Sequence, residues 1–235
     1  CIPTKALCHD ASLLDAASLV TGAQPEVDFD RISNRKRDVV EKLRQDVESL
    51  MAQPGITLVR GNAVFKDRNT VSVNGEDYCS DNIIIATGSR PKPLRVEGFD
   101  LPGVMTPELN TLPRTLCIIG AGVIGLEFAS VFRSFGCEVT VVEYMKECLP
   151  PYDQDISRRV RKAMEKRGIK FVMQAGVSRI ATTDGLLEVN YECKGKAGQA
   201  VADIVLVATG READSGGLGL EAIGVVTERG CITVD

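Results

Sequence analysis

Gly120-Ala121-Gly122-Val123-Ile124-Gly125 carries the chemistry most readable in this chain. The six residues follow the apolar run Leu116 to Ile119 and precede a stretch of helical periodicity, and that setting lifts a glycine triplet above a chance pattern. Gly120 permits a tight turn, Gly122 lets the backbone approach a pyrophosphate, and Gly125 lets helix pack closely on strand. The helix start offers Val123 and Ile124 amides and the positive end of a dipole to phosphate oxygens. Glu143, 18 residues beyond Gly125, ends the next apolar run, where a carboxylate accepts hydrogen bonds from adenosine ribose hydroxyls. An acidic group there repels a 2′-phosphate, so the expected nucleotide is NAD.

Around this unit the periodicity alternates in type. A helix is expected from Pro3 to Gly22 and a second from Ser33, with Val39, Val40, Leu43, Val47, Leu50 and Met51 in one stripe, stopped by Pro54-Gly55. Strand patterns follow at 56–60, 63–65, 70–73 and 76–79, the last two joined by Asn74-Gly75. The apolar run Asn82 to Ala86 reads as a buried strand, and Pro91, Pro93, Pro102 and Pro107 mark a linker. Beyond it come strand 116–119, helix 123–135, strand 138–143, a helix capped by Asp153 and closed at Gly168, and strands at 170–173, 177–181, 187–191 and 204–208. Ile83 to Arg90 is echoed in type by Val205 to Arg211. The expected fold class is α/β, with two Rossmann-like nucleotide-binding domains, each three-layered with a parallel sheet plus antiparallel meander, the first incomplete. The expected boundaries are 1–112 for the partial first domain, 113–210 for the NAD-binding domain and 211–235 for a return segment.

Composition excludes several classes. Twenty-eight Lys and Arg against 32 Asp and Glu give a net charge of −4 without a basic block, unlike a nucleic-acid binder. No apolar run reaches the roughly 20 residues of a membrane span, so a cytoplasmic protein is expected. Eight scattered cysteines with no C-x-x-C pair, and a single histidine, His9, argue against a metal site. Cys1 and Cys8 would stand about 10 Å apart on a helix, beyond disulfide reach.

Cys1-Ile2-Pro3-Thr4-Lys5-Ala6-Leu7-Cys8-His9 resembles the second half of the redox-active motif of the flavin-dependent pyridine nucleotide-disulfide oxidoreductases, in the dihydrolipoamide dehydrogenase branch. Ala86-Thr87-Gly88-Ser89, Gly120 to Glu127, Ala208 to Arg211 and Leu218 to Glu221 sit in that family's order, so the resemblance covers essentially the whole chain. It implies that Cys1 is the cysteine whose thiolate lies against the flavin, with its partner five positions upstream, outside this sequence. It implies that Lys5 lies by the flavin N5 and pairs with Glu127. Ala63, Thr87, Gly88 and Ser89 match FAD-contacting positions, and Val177 and Gly210 match positions lining the NAD site. Two departures stand out: Ala63 replaces the family's usual glycine, and Ala213-Asp214 replaces Pro-Asn.

The resemblance also implies what a longer protein would do. It would pass electrons from a dithiol, dihydrolipoamide being favoured, through a disulfide and FAD to NAD, as a homodimer. The catalytic histidine of the family lies in a region absent here, so His9 is not assigned that role. Lacking the family's N-terminal FAD unit and C-terminal interface domain, these residues are expected to bind NAD but not to retain FAD or turn over. The rival readings are an NAD-binding module without catalysis, a mercuric or glutathione-type reductase, and an NADH oxidase.

Overall fold

The computed structural model describes residues 1–23, 25–105 and 111–234; Pro107 of the expected linker lies outside them. In chain order the elements are α1 (Ile2–Thr21), α2 (Phe29–Met51), β1 (Ala63–Asp67), β2 (Thr70–Val73), β3 (Glu76–Cys79), β4 (Ser89–Pro91), β5 (Val104–Met105), β6 (Thr115–Ile119), α3 (Val123–Ser134), β7 (Glu138–Glu143) and α4 (Gln154–Lys166). They continue with β8 (Lys170–Met173), β9 (Ala175–Thr183), β10 (Leu186–Cys193), β11 (Lys196–Ala202), β12 (Ile204–Val207), β13 (Arg211–Ala213), a 3-10 turn at Leu220–Ile223, β14 (Thr227–Glu228) and β15 (Cys231–Ile232). The chain divides into two compact units, one of residues 1–43 with 93–210, the other of residues 44–92 with 211–235.

The first unit is built on a parallel sheet of order β5-β12-β6-β7-β8. A parallel sheet must be covered on both faces, and the near-continuous apolar runs of β6, β7 and β12 meet that need. Period-two alternation sorts their side chains into two cores. Leu116, Ile118, Val139, Val141 and Leu206 join Leu126, Phe128, Ala129 and Phe132 of α3 and Leu7 and Ala11 of α1. Cys117, Ile119, Val142 and Val205 face the antiparallel meander β9-β10-β11 through Ile180, Leu187 and Val189. Helices, parallel sheet and meander are therefore the three layers expected of a nucleotide-binding domain.

Phe29 extends the helical core, its ring centroid 6.0 Å from Phe132 and 5.8 Å from Phe135. It also moves the start of α2 four residues ahead of the expected Ser33. Asp28 Oδ1 accepts the Arg31 amide at 3.0 Å, which is N-cap geometry and the start signal that the apolar stripe obscured. The stripe itself stays largely in solvent: Leu43, Val47 and Leu50 are 40%, 55% and 53% exposed. At α4, Asp153 holds the N-cap position, but its side chain makes no capping bond.

The second unit holds the antiparallel sheet β1-β2-β3, whose hairpin turns at Asn74 and Gly75, both at positive φ, as Asn-Gly predicts. Two expected strands are corrected. Residues 56–60 and 82–86 form no strand, and Ile84 is 90% exposed. A strand exists only through its ladder, and among the described residues nothing pairs with either run. Instead, the tails of the two echoed segments pair with each other. β4 and β13 run antiparallel with Arg90 opposite Glu212 and Ala213 opposite Ser89, joined by an Arg90 Nε to Glu212 Oε1 ion pair of 2.7 Å.

Candidate functional site

The site lies at the carboxyl end of β6, where the chain turns into α3. Gly120 has φ 108°, a region closed to L side chains at small cost, and a Cβ there would stand 2.5 Å from the Ala208 carbonyl oxygen. A Cβ on Gly125 would stand 2.0 Å from the Gly120 carbonyl oxygen, so only glycine lets α3 leave the strand at this angle. Gly122 differs: it is the N-cap of α3, and a Cβ there would meet nothing within 4 Å. No side chain caps α3, so the amides of its first turn lack the intrahelical acceptors that later turns enjoy. Val123 is 46% exposed beside them, and Ile124 packs against the helical core. Open space, free donors and a dipole end together make an anion cradle.

Glu143 is tied into this cradle. Its Oε2 accepts the Ala121 amide at 2.5 Å and its Oε1 accepts the Met145 amide at 2.7 Å, and the residue is 8% exposed. The carboxylate thus braces the turn, and each oxygen keeps a lone pair for a further donor such as a ribose hydroxyl. The Leu149 amide donates to the Ala121 carbonyl at 2.9 Å, fastening the loop after β7 to the same turn. Gly210, with φ 116°, follows β12 and faces open space, whereas Val177 sits half-buried on β9, packed against the second core.

In the same unit, Lys5 Nζ donates to Glu127 Oε1 across the contact of α1 with α3. The carboxylate raises the Lys5 pKa, so the ammonium is held charged. Cys1 occupies the N-cap of α1 and is exposed; the Lys5 amide donates to its carbonyl at 3.0 Å. Cys8, one turn beyond Lys5, is half-buried, and burial followed by the charge of Glu127 pushes its thiol pKa up. His9 is exposed on α1.

The remaining expected positions lie in the second unit. Ala63 is exposed at the start of β1, opposite Val73. Thr87 and Gly88 are exposed, and the Gly88 carbonyl accepts the Asp214 amide at 3.0 Å. Ser89 Oγ accepts Arg211 Nε at 2.8 Å.

Sequence reasoning passed over the loop after β7. A cleft of about 390 Å³ there is lined by Met145, Lys146, Tyr152, Gln154, Arg158 and Gln174 among others. In its lining Arg161 grips Glu147 through Nε at 2.7 Å and Nη2 at 3.1 Å, holding that carboxyl below its usual range. The signal lay in Glu147 and Arg161, which no motif connects.

Known proteins resemble the whole of this arrangement. The family described as pyridine nucleotide-disulphide oxidoreductase matches residues 1–235. The chain belongs to that family. Dihydrolipoyl dehydrogenase of Thermus scotoductus is 38% identical over 100% of this chain and 53% of its own length, and that of Rhizobium etli is 36% identical over 100% and 55%. The chain spans about half the length of the curated relatives it matches. Among solved structures, the HOCl-induced flavoprotein disulfide reductase RclA from Escherichia coli superposes with a TM-score of 0.81 at 32% identity, covering 100% of this chain and 52% of that one. LpdA from Mycobacterium tuberculosis, at 22% identity and TM-score 0.84 over 98% of this chain and 53% of that one, shares the fold.

Proposed function

We propose that the chain holds the NAD site of a flavin-dependent dithiol oxidoreductase, with dihydrolipoamide as the dithiol. One observation carries the reading: the glycine turn before α3 leaves open space at Gly122 and, among the described residues, a first helical turn with no side-chain cap, and Glu143 is bonded to that same turn through the Ala121 amide. The residues fit a dinucleotide, with pyrophosphate at the first turn of α3 and an adenosine ribose at Glu143.

In the longer protein, oxidation of one dithiol to a disulfide releases two electrons and two protons, and NAD takes up a hydride while one proton leaves to solvent. A bound flavin would supply the two-electron relay between dithiol and nicotinamide. Cys1, the exposed N-cap residue of α1, would supply the thiol that meets the flavin. Lys5 carries a positive charge that Glu127 maintains, and it stabilises negative charge developing beside it. Thr87, Gly88, Ser89 and Ala63 would hold FAD. The family resemblance supports a homodimer, and a cytoplasmic setting is proposed from the sequence.

The test is calorimetric titration of the 235-residue chain with NADH, together with its visible spectrum before and after dihydrolipoamide. Saturable NADH binding that Glu143→Ala weakens supports the nucleotide site, and no binding overturns it. A yellow sample that gains a long-wavelength band supports the dithiol chemistry. A colourless sample that binds NADH leaves a nucleotide-binding module.

A further inference from the structure

We infer that the Tyr144 ring is the platform on which the adenine of the dinucleotide stacks. The inference rests on the NAD reading above and extends it to a residue that no motif marks.

A ribose held at Glu143 fixes where its base can go, because a single glycosidic bond joins them. The base must lie against the surface at the carboxyl end of β7. There the Met145 amide returns to Glu143 Oε1 at 2.7 Å, and Tyr144 occupies the bend between them. Its ring is backed by Gly176 at the start of β9: a Cβ on that glycine would lie 3.6 Å from Cδ2 and 3.7 Å from Cε2. Yet Tyr144 is 76% exposed. A large aromatic residue supported on one side and open on the other has a free π-face, and every purine has one to match. Tyrosine also loses little rotamer freedom on binding, since two torsions set its ring. The neighbouring cleft is a poorer host for a base, because the Glu147–Arg161 pair in its lining is already satisfied and would lose water under an aromatic ring.

The experiment titrates the 235-residue chain and its Tyr144→Ala and Tyr144→Phe variants with NADH, ADP-ribose and reduced nicotinamide mononucleotide, which lacks the adenosine half. The expected result is a loss of affinity on the order of 10-fold for NADH and ADP-ribose in Tyr144→Ala. Tyr144→Phe should bind as the parent does, and the mononucleotide should bind all three alike. Unchanged NADH affinity in Tyr144→Ala overturns the inference while leaving the NAD site standing. An equal loss for the mononucleotide also overturns it, since the substitution would then have disturbed the fold. If the parent chain binds no NADH at all, both the NAD reading and this inference fall.

Discussion

Asp203 and Thr115 clamp the start of β12 to the start of β6: Asp203 Oδ2 accepts both the Thr115 amide and the Thr115 hydroxyl at 2.7 Å, and the hydroxyl accepts the Asp203 amide at 2.9 Å. These bonds hold the Asp203 carboxyl below its ordinary range. A depressed pKa in the folded state stabilises the protein above the unfolded value of about 3.9, and this contribution is lost as pH falls through the folded value. Thr115→Val removes the hydroxyl and should cost about 1 kcal/mol at pH 7, with a smaller deficit on the acid limb. Urea unfolding at a series of pH values measures this; a deficit that does not shrink with acid would count against the clamp.

Two of the fingerprint glycines should separate in mutagenesis. Gly125→Ala forces a methyl into the Gly120 carbonyl and should destabilise the chain by about 1–3 kcal/mol. Gly122→Ala meets open space at a helix N-cap and should stay within about 1 kcal/mol of the parent. It should nonetheless lose NADH affinity on the order of 10-fold, because the methyl occupies the path of the pyrophosphate. Melting curves beside NADH titrations distinguish the two, and an unaffected affinity in Gly122→Ala would contradict the phosphate assignment.

Glu143→Gln keeps the shape but offers only one acceptor oxygen to two backbone donors. A buried amide left facing an NH2 group should cost about 1–3 kcal/mol. Denaturant unfolding with and without NADH should show both lower stability and a smaller shift on adding the nucleotide. A variant as stable as its parent would show that the brace contributes nothing.

The thiols should react in tiers. Cys1, Cys79 and Cys231 are exposed, Cys8 and Cys193 half-buried, and Cys117, Cys137 and Cys148 buried. Burial pushes Cys117 and Cys137 up to about 12 and Cys148 to about 11, so none is a thiolate at neutral pH. Titration with a chromogenic disulfide at pH 8 should count three fast thiols, and the buried three should respond only in denaturant. A fast signal from any of those three, traced by peptide mapping, would refute the packing of the strand or loop that carries it.

Legibility followed how local the cause was. The βαβ unit was read almost to the residue, since Leu116 to Ile119, the glycine turn and Gly136 carry periodicity and punctuation in the sequence itself. β11 was missed because Lys196 to Ala202 is mostly small and polar, and its hairpin turns at Lys194-Gly195, a weaker signal than Asn-Gly although both residues take positive φ. The runs 56–60 and 82–86 were read as strands from composition alone, but composition states a preference and pairing decides. In the site, the glycines and Glu143 were visible as a motif. Tyr144 was not, because its position against Gly176 arises from a contact across 32 residues that no spacing rule covers.

The pairing of β4 with β13 has a consequence for synthesis. Residues 44–92 interrupt the first unit in the chain, and their own unit also takes in residues 211–235. A ribosome releasing the chain from its amino end therefore presents β4 long before Arg211 to Ala213 exist to receive it. The first unit can assemble once Gly210 has emerged, while β4 still waits for β13. The β4–β13 ladder therefore closes only after all the residues between its two strands have been made.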